Sequence, residues 1–181
     1  MLGLLAATGL RIGEALKLTT DDVLLDVDPP RLRITDSKFG KSRWVPLHPS
    51  TAQMLSAFAR ERRRLRVDAV TDAFFASERA TVIEASVAQS TFRRLCQKLE
   101  LDPEDGRRRP TWHAFRHRFA VRRLTTWYEQ GLDVAALIPN LSVYLGHVSP
   151  SETYWYLTAT PALLSAAATS FERFAGAGGE R

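Results

Sequence analysis

The spacing of apolar residues along the chain predicts a mostly helical protein with one short β region. From residue 2 to residue 20 the apolar positions follow helical spacing, and a break at Thr8 and Gly9 places Arg11 at the start of a second helix. Between residues 21 and 47 the apolar positions instead alternate with polar ones, which is typical of β-strands. Three antiparallel strands are predicted there, at residues 23–27, 31–35 and 43–47. The pattern therefore indicates an α+β fold, mostly α-helical, with a small three-stranded antiparallel sheet.

Helical spacing returns after the predicted sheet and continues towards the end of the chain. A long helix is expected to begin at Pro49, with Ser50 as its cap, and to end near Asp68. Its buried side is predicted to consist of Ala52, Leu55, Phe58, Ala59 and Leu65. Further helices are predicted at residues 90–101, from Thr111 onwards, in two short segments after Gly131 that are divided at Pro139, in a short helix after Ser149, and at residues 161–174.

The segment 145–156 joins a helix end to a short helix that carries a tyrosine. Its Leu-Gly-His sequence, which ends at His147, is typical of a helix that stops against the core with a polar tip exposed. A turn then begins a helix that contains Tyr156, nine residues after the histidine. A phenol in this position can be a nucleophile towards phosphorus if cations surround the phosphate. The alternative is that Tyr154, Trp155 and Tyr156 form an aromatic cluster that closes a core.

Length and composition restrict the class of protein. A chain of 181 residues is long enough for one good core and too short for two ordinary domains, so one domain is expected. Hydrophobic residues make up 45% of the chain without an apolar run of membrane-spanning length or a leader sequence, which predicts a soluble, cytoplasmic protein. The single cysteine, Cys96, excludes an internal disulfide and a cysteine-based zinc site.

The charge of the chain favours a polyanionic partner. The formal net charge is +5 and the isoelectric point is near 9.8, which makes nucleic acid the favoured partner. Many of the cations lie in two arginine runs, Arg60, Arg62, Arg63, Arg64 and Arg66, and then Arg107, Arg108 and Arg109. The alternative for the first run is the solvated face of a long helix, because Glu61 and Asp68 interrupt it.

Cations in the first quarter of the chain lie where they could act on a phosphate. Arg11 is expected at a helix N-terminus, where the helix dipole and free amides already favour anions; the alternative is a salt bridge to Glu14 one turn later. Lys38 and Lys41 lie on the turn between the second and third predicted strands, which is a suitable mounting for a proton donor. The alternative is that these lysines protect a sheet edge against aggregation.

A third group of candidate residues lies at the start of the helix predicted from Thr111. His113 and Arg116 are three residues apart, so on a helix their side chains share one face and can hold the same anion. The alternative for His113 is an ordinary helix cap or a surface group.

Taken together and in this order, these segments resemble the catalytic domain of tyrosine recombinases, the family of phage integrases and Xer-type recombinases. The resemblance rests on residues 8–16 (TGLRIGEAL), on Lys38 with residues 39–47 (FGKSRWVPL), on residues 113–117 (HAFRH), and on the Leu-Gly-His of residues 145–147 with Tyr156. It extends from about residue 2 to about residue 174.

The resemblance implies a site-specific recombinase or integrase that cuts and rejoins DNA without a metal ion or cofactor. In such an enzyme Tyr156 attacks a scissile DNA phosphate, forms a 3′-phosphotyrosyl bond and releases a 5′-hydroxyl, which later attacks a partner strand. Arg11 and Arg116 would bind the non-bridging oxygens, and His113 and His147 would complete the hydrogen-bonding shell. Lys38 would protonate the departing oxygen.

The resemblance also implies double-stranded DNA as a partner. Further contacts to DNA are expected from Lys41, Arg43, Arg107, Arg108, Arg109 and His117. The protein is expected to act as a homo-oligomer on DNA, a tetramer in its full-length form, with no membrane or small-molecule partner. The apolar helix at residues 161–174 is predicted to be an assembly element; the alternative is that it packs on its own domain.

The chain departs from the usual pattern of these recombinases in two respects. Residues 1–175 would be a catalytic domain without its start, followed by a flexible tail at residues 176–181, and an N-terminal DNA-clamping domain is expected to be absent. The interval from Arg116 to His147 is longer than the common pattern, which suggests a subfamily associated with mobile elements. Two other functions remain open, namely a topoisomerase of type IB and a truncated DNA-binding remnant or regulator that does not cleave.

Overall fold

The computed structural model describes residues 1–35, 42–65, 67–101, 109–147, 149 and 151–158. It divides the chain into two compact units, Met1–Arg116 and His117–Arg181. The helices of the described residues are α1 (Leu2–Thr8), α2 (Ile12–Leu16), α3 (Pro49–Arg64), α4 (Ala85–Lys98), α5 (Trp112–Glu129), α6 (Val134–Leu145) and α7 (Ser151–Thr158). The strands are β1 (Val23–Leu24), β2 (Arg31–Ile34) and β3 (Arg43–Pro46). The predicted class, mostly helical with a small antiparallel sheet, is confirmed.

The sheet has the predicted order and direction. Its strands pair in the order β1-β2-β3, and both pairings are antiparallel. Leu32 and Ile34 of β2 and Val45 of β3 are buried, whereas Arg33 and Trp44, which lie opposite each other, are exposed. The first strand is shorter than predicted, because an antiparallel partner for residues 25–27 would have to include Pro29 and Pro30, which have no N–H to donate.

The turn between α1 and α2 places Arg11 at a helix start, as predicted. Gly9 ends α1 in the left-handed conformation, with φ of 65°, and its N–H donates to the carbonyl of Leu5. The chain then turns through Leu10, and Arg11 is the N-cap residue of α2. Gly9 therefore separates the two helices, because a residue without a Cβ adopts the left-handed conformation without strain.

Several details of α3 differ from the prediction, and the helix ends at Arg64 and not near Asp68. The cap is His48 and not Ser50: the His48 Nδ1 atom accepts a hydrogen bond from the backbone N–H of Ser50, at 3.3 Å. Phe58, predicted to be buried, is 37% exposed. Leu65, also predicted to be buried, is 57% exposed, while Arg62 is buried. Helical spacing alone could not reveal this exchange, because both residues lie near the end of the helix and only the packing partner decides which of them is covered.

Arg62 is buried because its guanidinium organises the chain that follows α3. Its Nη1 atom donates to the carbonyl oxygens of Ala73 and Phe74, at 2.6 and 2.7 Å, and its Nη2 atom lies 2.7 Å from a carboxylate oxygen of Asp68. Phe74 packs edge-on against Phe75, with ring centroids 5.1 Å apart. One arginine of the first run is thus an internal cross-link and not part of a solvated face.

The helix α4 begins five residues earlier than predicted, at Ala85. Of its first five residues only Ala88 is buried, so the apolar spacing is weak where the helix starts. The rest of its buried side packs against the beginning of α5, where the rings of Phe92 and Trp112 are stacked with centroids 4.2 Å apart.

The second unit is built around α6. Its core consists of Ala120, Leu124, Val134, Ile138, Leu141, Leu145 and Tyr156. The prediction that Pro139 divides this region into two helices is wrong, because α6 continues through Pro139. A proline inside a helix costs about 3 kcal/mol, but each fully buried aliphatic side chain contributes about 1.5–3 kcal/mol, and α6 buries several of them. Within the described part of the chain, no helix combines the length and apolar character needed to cross a bilayer.

Candidate active site

In the first unit, a buried carboxylate joins two of the predicted site arginines. Glu14 lies one turn after Arg11 in α2, and its Oε2 atom accepts from the backbone N–H of Arg11, at 3.0 Å. The side chain of Arg11 donates to Oε1 at 3.1 Å, so the predicted alternative, an ion pair between these two residues, is present. Arg43 of β3 binds the same carboxylate through both terminal nitrogens, at 2.9 and 3.0 Å.

These contacts determine the ionisation of Glu14. Burial of the carboxyl group favours its neutral form, but hydrogen bonds from Arg43 and from the backbone of Arg11, together with the charges of both arginines, lower the pKa of Glu14 below its usual value. Glu14 is therefore an anion at neutral pH, although only 6% of its side chain is exposed.

Arg116 is the second arginine that the first unit holds in place. It is 2% exposed, and its Nη1 atom donates to the carbonyl oxygen of Gly9 at 3.0 Å. Gly9 lies two residues before Arg11, and two residues of chain span at most about 7 Å. The hydrogen bond thus brings a guanidinium from α5 to the turn that carries Arg11. His113 lies on the same helix, one turn before Arg116, and is exposed.

The second unit places a histidine and a tyrosine at neighbouring helix ends. Gly146 ends α6 in the left-handed conformation, with φ of 68°, and the N–H of His147 donates to the carbonyl of Ser142 at 3.0 Å. The imidazole Nδ1 atom of His147 is hydrogen-bonded to the hydroxyl of Thr153, at 2.7 Å. Thr153 is completely buried in α7 and lies three residues before Tyr156, so one helix orients both groups.

Tyr156 differs from the two aromatic residues before it. It is 2% exposed and belongs to the core of the second unit, whereas Tyr154 and Trp155 are 45% and 57% exposed. Its ring lies almost parallel to that of His147, with centroids 6.1 Å apart, and 5.4 Å from the ring of His117. The three aromatic residues therefore do not all close the core, and the ring of the buried one lies beside those of two histidines.

The remaining predicted DNA-binding and catalytic residues lie in different parts of the chain. Lys38, Lys41, Arg107 and Arg108 lie outside the described residues. Arg109 is exposed, and His117 lies beside Tyr156. Arg43, predicted to contact DNA, has a side chain that is only 9% exposed and binds Glu14, which gives it a structural partner that the sequence did not indicate. Its contact with DNA stays a prediction.

One residue and one contact of the site were not identified from the sequence. Thr153 could have been noticed, because it lies three residues before Tyr156 on the predicted helix and therefore on the same face. The contact of Arg43 with Glu14 joins residues 29 positions apart and leaves no local signal. Among the described residues, no three His, Cys, Asp or Glu side chains are grouped as ligands of a metal ion would be.

The arginines of the first unit and the histidines and tyrosine of the second unit each suit one part of a reaction at phosphorus. In the first unit, two guanidinium groups lie near one turn, and forked N–H donors of this kind bind phosphate oxygens well. In the second unit, a phenol lies beside imidazole rings, which can donate or accept protons near neutral pH.

Solved structures of recombinases show the class of protein to which this fold belongs. The XerA recombinase is 25% identical, with a TM-score of 0.66, and the match covers 98% of this chain and 56% of XerA. The Tn1549 transposon integrase, solved in complex with circular intermediate DNA, has a TM-score of 0.68 at 20% identity, and the match covers 96% of this chain and 58% of the integrase. The second likeness concerns the fold alone. The fold is therefore that of the tyrosine recombinase catalytic domain.

The sequence comparisons define the family more closely. Residues 1–162 match the Phage integrase family, and the chain belongs to that family. It is 38% identical over 174 residues to y4rB of Sinorhizobium fredii, which carries an integrase/recombinase name, and the match covers 96% of this chain and 55% of y4rB. It is 30% identical over 158 residues to the tyrosine recombinase XerD of Corynebacterium glutamicum, with 86% of this chain and 47% of XerD covered. The chain thus spans about half the length of these relatives.

Proposed function

We propose that this chain is the catalytic part of a site-specific DNA recombinase that cuts and rejoins DNA strands through a covalent bond to Tyr156. The observation that carries the proposal is the hydrogen bond from Arg116 to the carbonyl of Gly9, which brings a buried guanidinium to the turn before Arg11. A guanidinium from a distant part of the sequence thus lies at the turn that leads to Arg11, which supports the proposal that both arginines bind one phosphate.

The proposed reaction exchanges one phosphate ester for another. The Tyr156 hydroxyl oxygen attacks the phosphorus atom, the bond from phosphorus to the 5′ oxygen of the next nucleotide breaks, and a 3′-phosphotyrosyl ester forms. His113 accepts the proton of the phenol, and Lys38 donates a proton to the departing 5′ oxygen. Because an ester is kept throughout, the free 5′-hydroxyl of a partner strand can later reverse the step without an external energy source.

The roles of the cations follow from where charge develops. Negative charge builds on the non-bridging oxygens as phosphorus becomes five-coordinate, and fixed donors directed at those oxygens lower the barrier. Arg11 and Arg116 supply such donors, and His147 supplies a further one from the second unit. The proposed reaction therefore proceeds without a metal ion or cofactor.

DNA is the proposed substrate. The Tn1549 integrase, whose fold this chain shares, was solved bound to DNA, and so was the XerH recombinase. The net charge of +5 agrees with a polyanionic ligand. The relatives described above carry recombinase names, which favours strand exchange over the relaxation reaction of a topoisomerase. We further propose that the protein acts as a homo-oligomer on DNA.

The identity of the nucleophile provides the decisive experiment. The chain is incubated at micromolar concentration with a nicked duplex that loses its short leaving strand after cleavage, and covalent protein–DNA adducts are separated on a denaturing gel. Tyr156→Phe should form no adduct, because the attacking oxygen is gone. Tyr154→Phe is the matched control, since it removes a hydroxyl from an exposed residue of the same helix, and it should form adduct as the wild type does. An adduct with Tyr156→Phe would refute the proposal.

A further inference from the structure

We propose that His117 is a positioning residue, whose ring packs against Tyr156 and holds the phenol in its reactive orientation. The inference rests on the proposed function, because it concerns the residue that would attack the phosphate. It gives His117 a different role from the contact with DNA that the sequence predicts for it.

The imidazole of His117 contacts two rings of α7. Its centroid lies 5.4 Å from that of the Tyr156 ring, with 44° between the planes, and 5.7 Å from that of the Trp155 ring, with 61° between the planes. The Trp155 and Tyr156 rings are themselves 5.6 Å apart and inclined at 69°. Aromatic rings attract each other at centroid distances of about 4.5–7 Å in such inclined geometries. One side chain of α5 thus completes a cluster of three rings within the second unit.

The cluster restrains α7 because the two residues that His117 contacts are neighbours in sequence. Successive side chains of an α-helix diverge by about 100°, so Trp155 and Tyr156 leave the helix axis in different directions. With one ring against both of them, α7 cannot turn about its axis in either direction without weakening one of the two contacts. The rotation of α7 determines where the phenol points, so His117 contributes to fixing that direction.

The length of α7 makes this restraint important. The helix has 8 residues, and a helix this short depends on packing for its stability and orientation. A nucleophile, in turn, must be held within about 10–20° of its productive orientation. The contact with His117 joins the buried ring of Tyr156 to that of Trp155, which is 57% exposed. Loss of the His117 ring should therefore loosen the end of α7 that carries the nucleophile.

These contacts use the shape of His117 and not its polarity. Among the residues that the structure describes, His117 makes ring contacts and no hydrogen bond or ion pair. A phenylalanine ring can make the same contacts, whereas a glutamine offers polar atoms without a ring. The inference therefore predicts that phenylalanine can replace His117 and that glutamine cannot.

The test separates the rate of cleavage from the affinity for DNA. Single-turnover adduct formation is measured on the nicked duplex over a range of DNA concentrations, for the wild type, His117→Phe and His117→Gln. At saturating DNA, His117→Gln should react about 5- to 150-fold more slowly, because two aromatic pairs are lost from the reactive orientation. His117→Phe should react within about twofold of the wild type. The DNA concentration that gives half the maximal rate should stay within about twofold of the wild-type value for both variants.

Tyr154→Ala is the matched control for removal of a ring from this region. It deletes a 45% exposed ring of the same helix that does not belong to the cluster, and it should react within about twofold of the wild type. Circular dichroism and urea denaturation show whether each variant is folded. Should His117→Gln be unfolded, His117→Phe still decides, since the inference requires it to be both folded and active.

Three results would overturn the role of His117 while leaving the recombinase proposal intact. The first is a wild-type maximal rate for a folded His117→Gln. The second is a His117→Phe that is unfolded or as slow as His117→Gln, because the polar atoms of His117 would then be needed. The third is a rise in the half-saturating DNA concentration without a change in maximal rate, which would indicate the contact with DNA that the sequence predicts. If the wild-type chain forms no adduct at Tyr156, the proposed function fails, and this inference fails with it.

Discussion

The hydrogen bond between Thr153 and His147 allows a sharp test of how the second unit orients its imidazole. Thr153→Val keeps the shape of a side chain that is completely buried but removes the hydroxyl that lies 2.7 Å from the His147 Nδ1 atom. No solvent reaches residue 153 to replace that bond, and the side chain of His147 is only 4% exposed. Leaving a buried polar atom without its partner costs about 1–3 kcal/mol.

The same free energy sets the expected effect on catalysis. If the hydroxyl of Thr153 holds the imidazole of His147 in its reactive orientation, its removal makes that orientation less stable by the same free energy. Adduct formation by Thr153→Val should then slow about 5- to 150-fold, because each 1.4 kcal/mol corresponds to about a factor of ten. The free energy of unfolding should also fall, by about 1–3 kcal/mol in urea denaturation.

Thr153→Ser is the matched control for this experiment. It keeps the hydroxyl and removes one buried methyl group, so it should lose about 1 kcal/mol of unfolding free energy while forming adduct at close to the wild-type rate. Both variants should therefore be less stable than the wild type, but only Thr153→Val should also react more slowly. If Thr153→Val reacts as fast as Thr153→Ser, or if both are equally slow, the orienting role of the hydroxyl is wrong.

Three other predictions follow from the contacts described above. The pKa of Glu14 in the folded state lies below its unfolded-state value of about 4.5. The ion pairs of Glu14 therefore stabilise the protein above that pH, and this stabilisation is lost as the pH falls through the folded-state pKa. In urea denaturation, Glu14→Gln should lose less stability between about pH 5 and pH 3 than the wild type does. Arg62→Met should lose about 3–5 kcal/mol of unfolding free energy, because it leaves Asp68 and three carbonyl groups without their partner. Arg63→Met, at an exposed position of the same helix, should lose less than about 0.5 kcal/mol, and equal losses would contradict the internal role of Arg62. Treatment with EDTA should leave the yield of covalent adduct unchanged, since arginines supply the positive charge in the proposed reaction, and loss of the adduct on chelation would require a different mechanism.

Much of the fold could be predicted because it depends on neighbours in sequence. The break at Gly9 and the helix end at Gly146 follow from the conformations that glycine permits, and alternation of polar and apolar residues revealed the strands. Pro139 shows the limit of such local rules. Its cost to a helix is local, but the burial of Ile138 and Leu141 that outweighs this cost depends on packing within the second unit.

In the candidate site, too, some features follow from the local sequence and others only from the packing of distant segments. The sequence by itself determined which residue types are present at the positions typical of the family, and it placed Arg11 at a helix start and Tyr156 on a short helix. Only the tertiary structure decided that Arg116 meets the turn at Gly9, which is 107 positions away, and that Arg43 meets Glu14. Hydrogen-bond partners so far apart leave no period or spacing in the chain, because their meeting depends on how whole helices and strands pack and not on the conformation of any one segment.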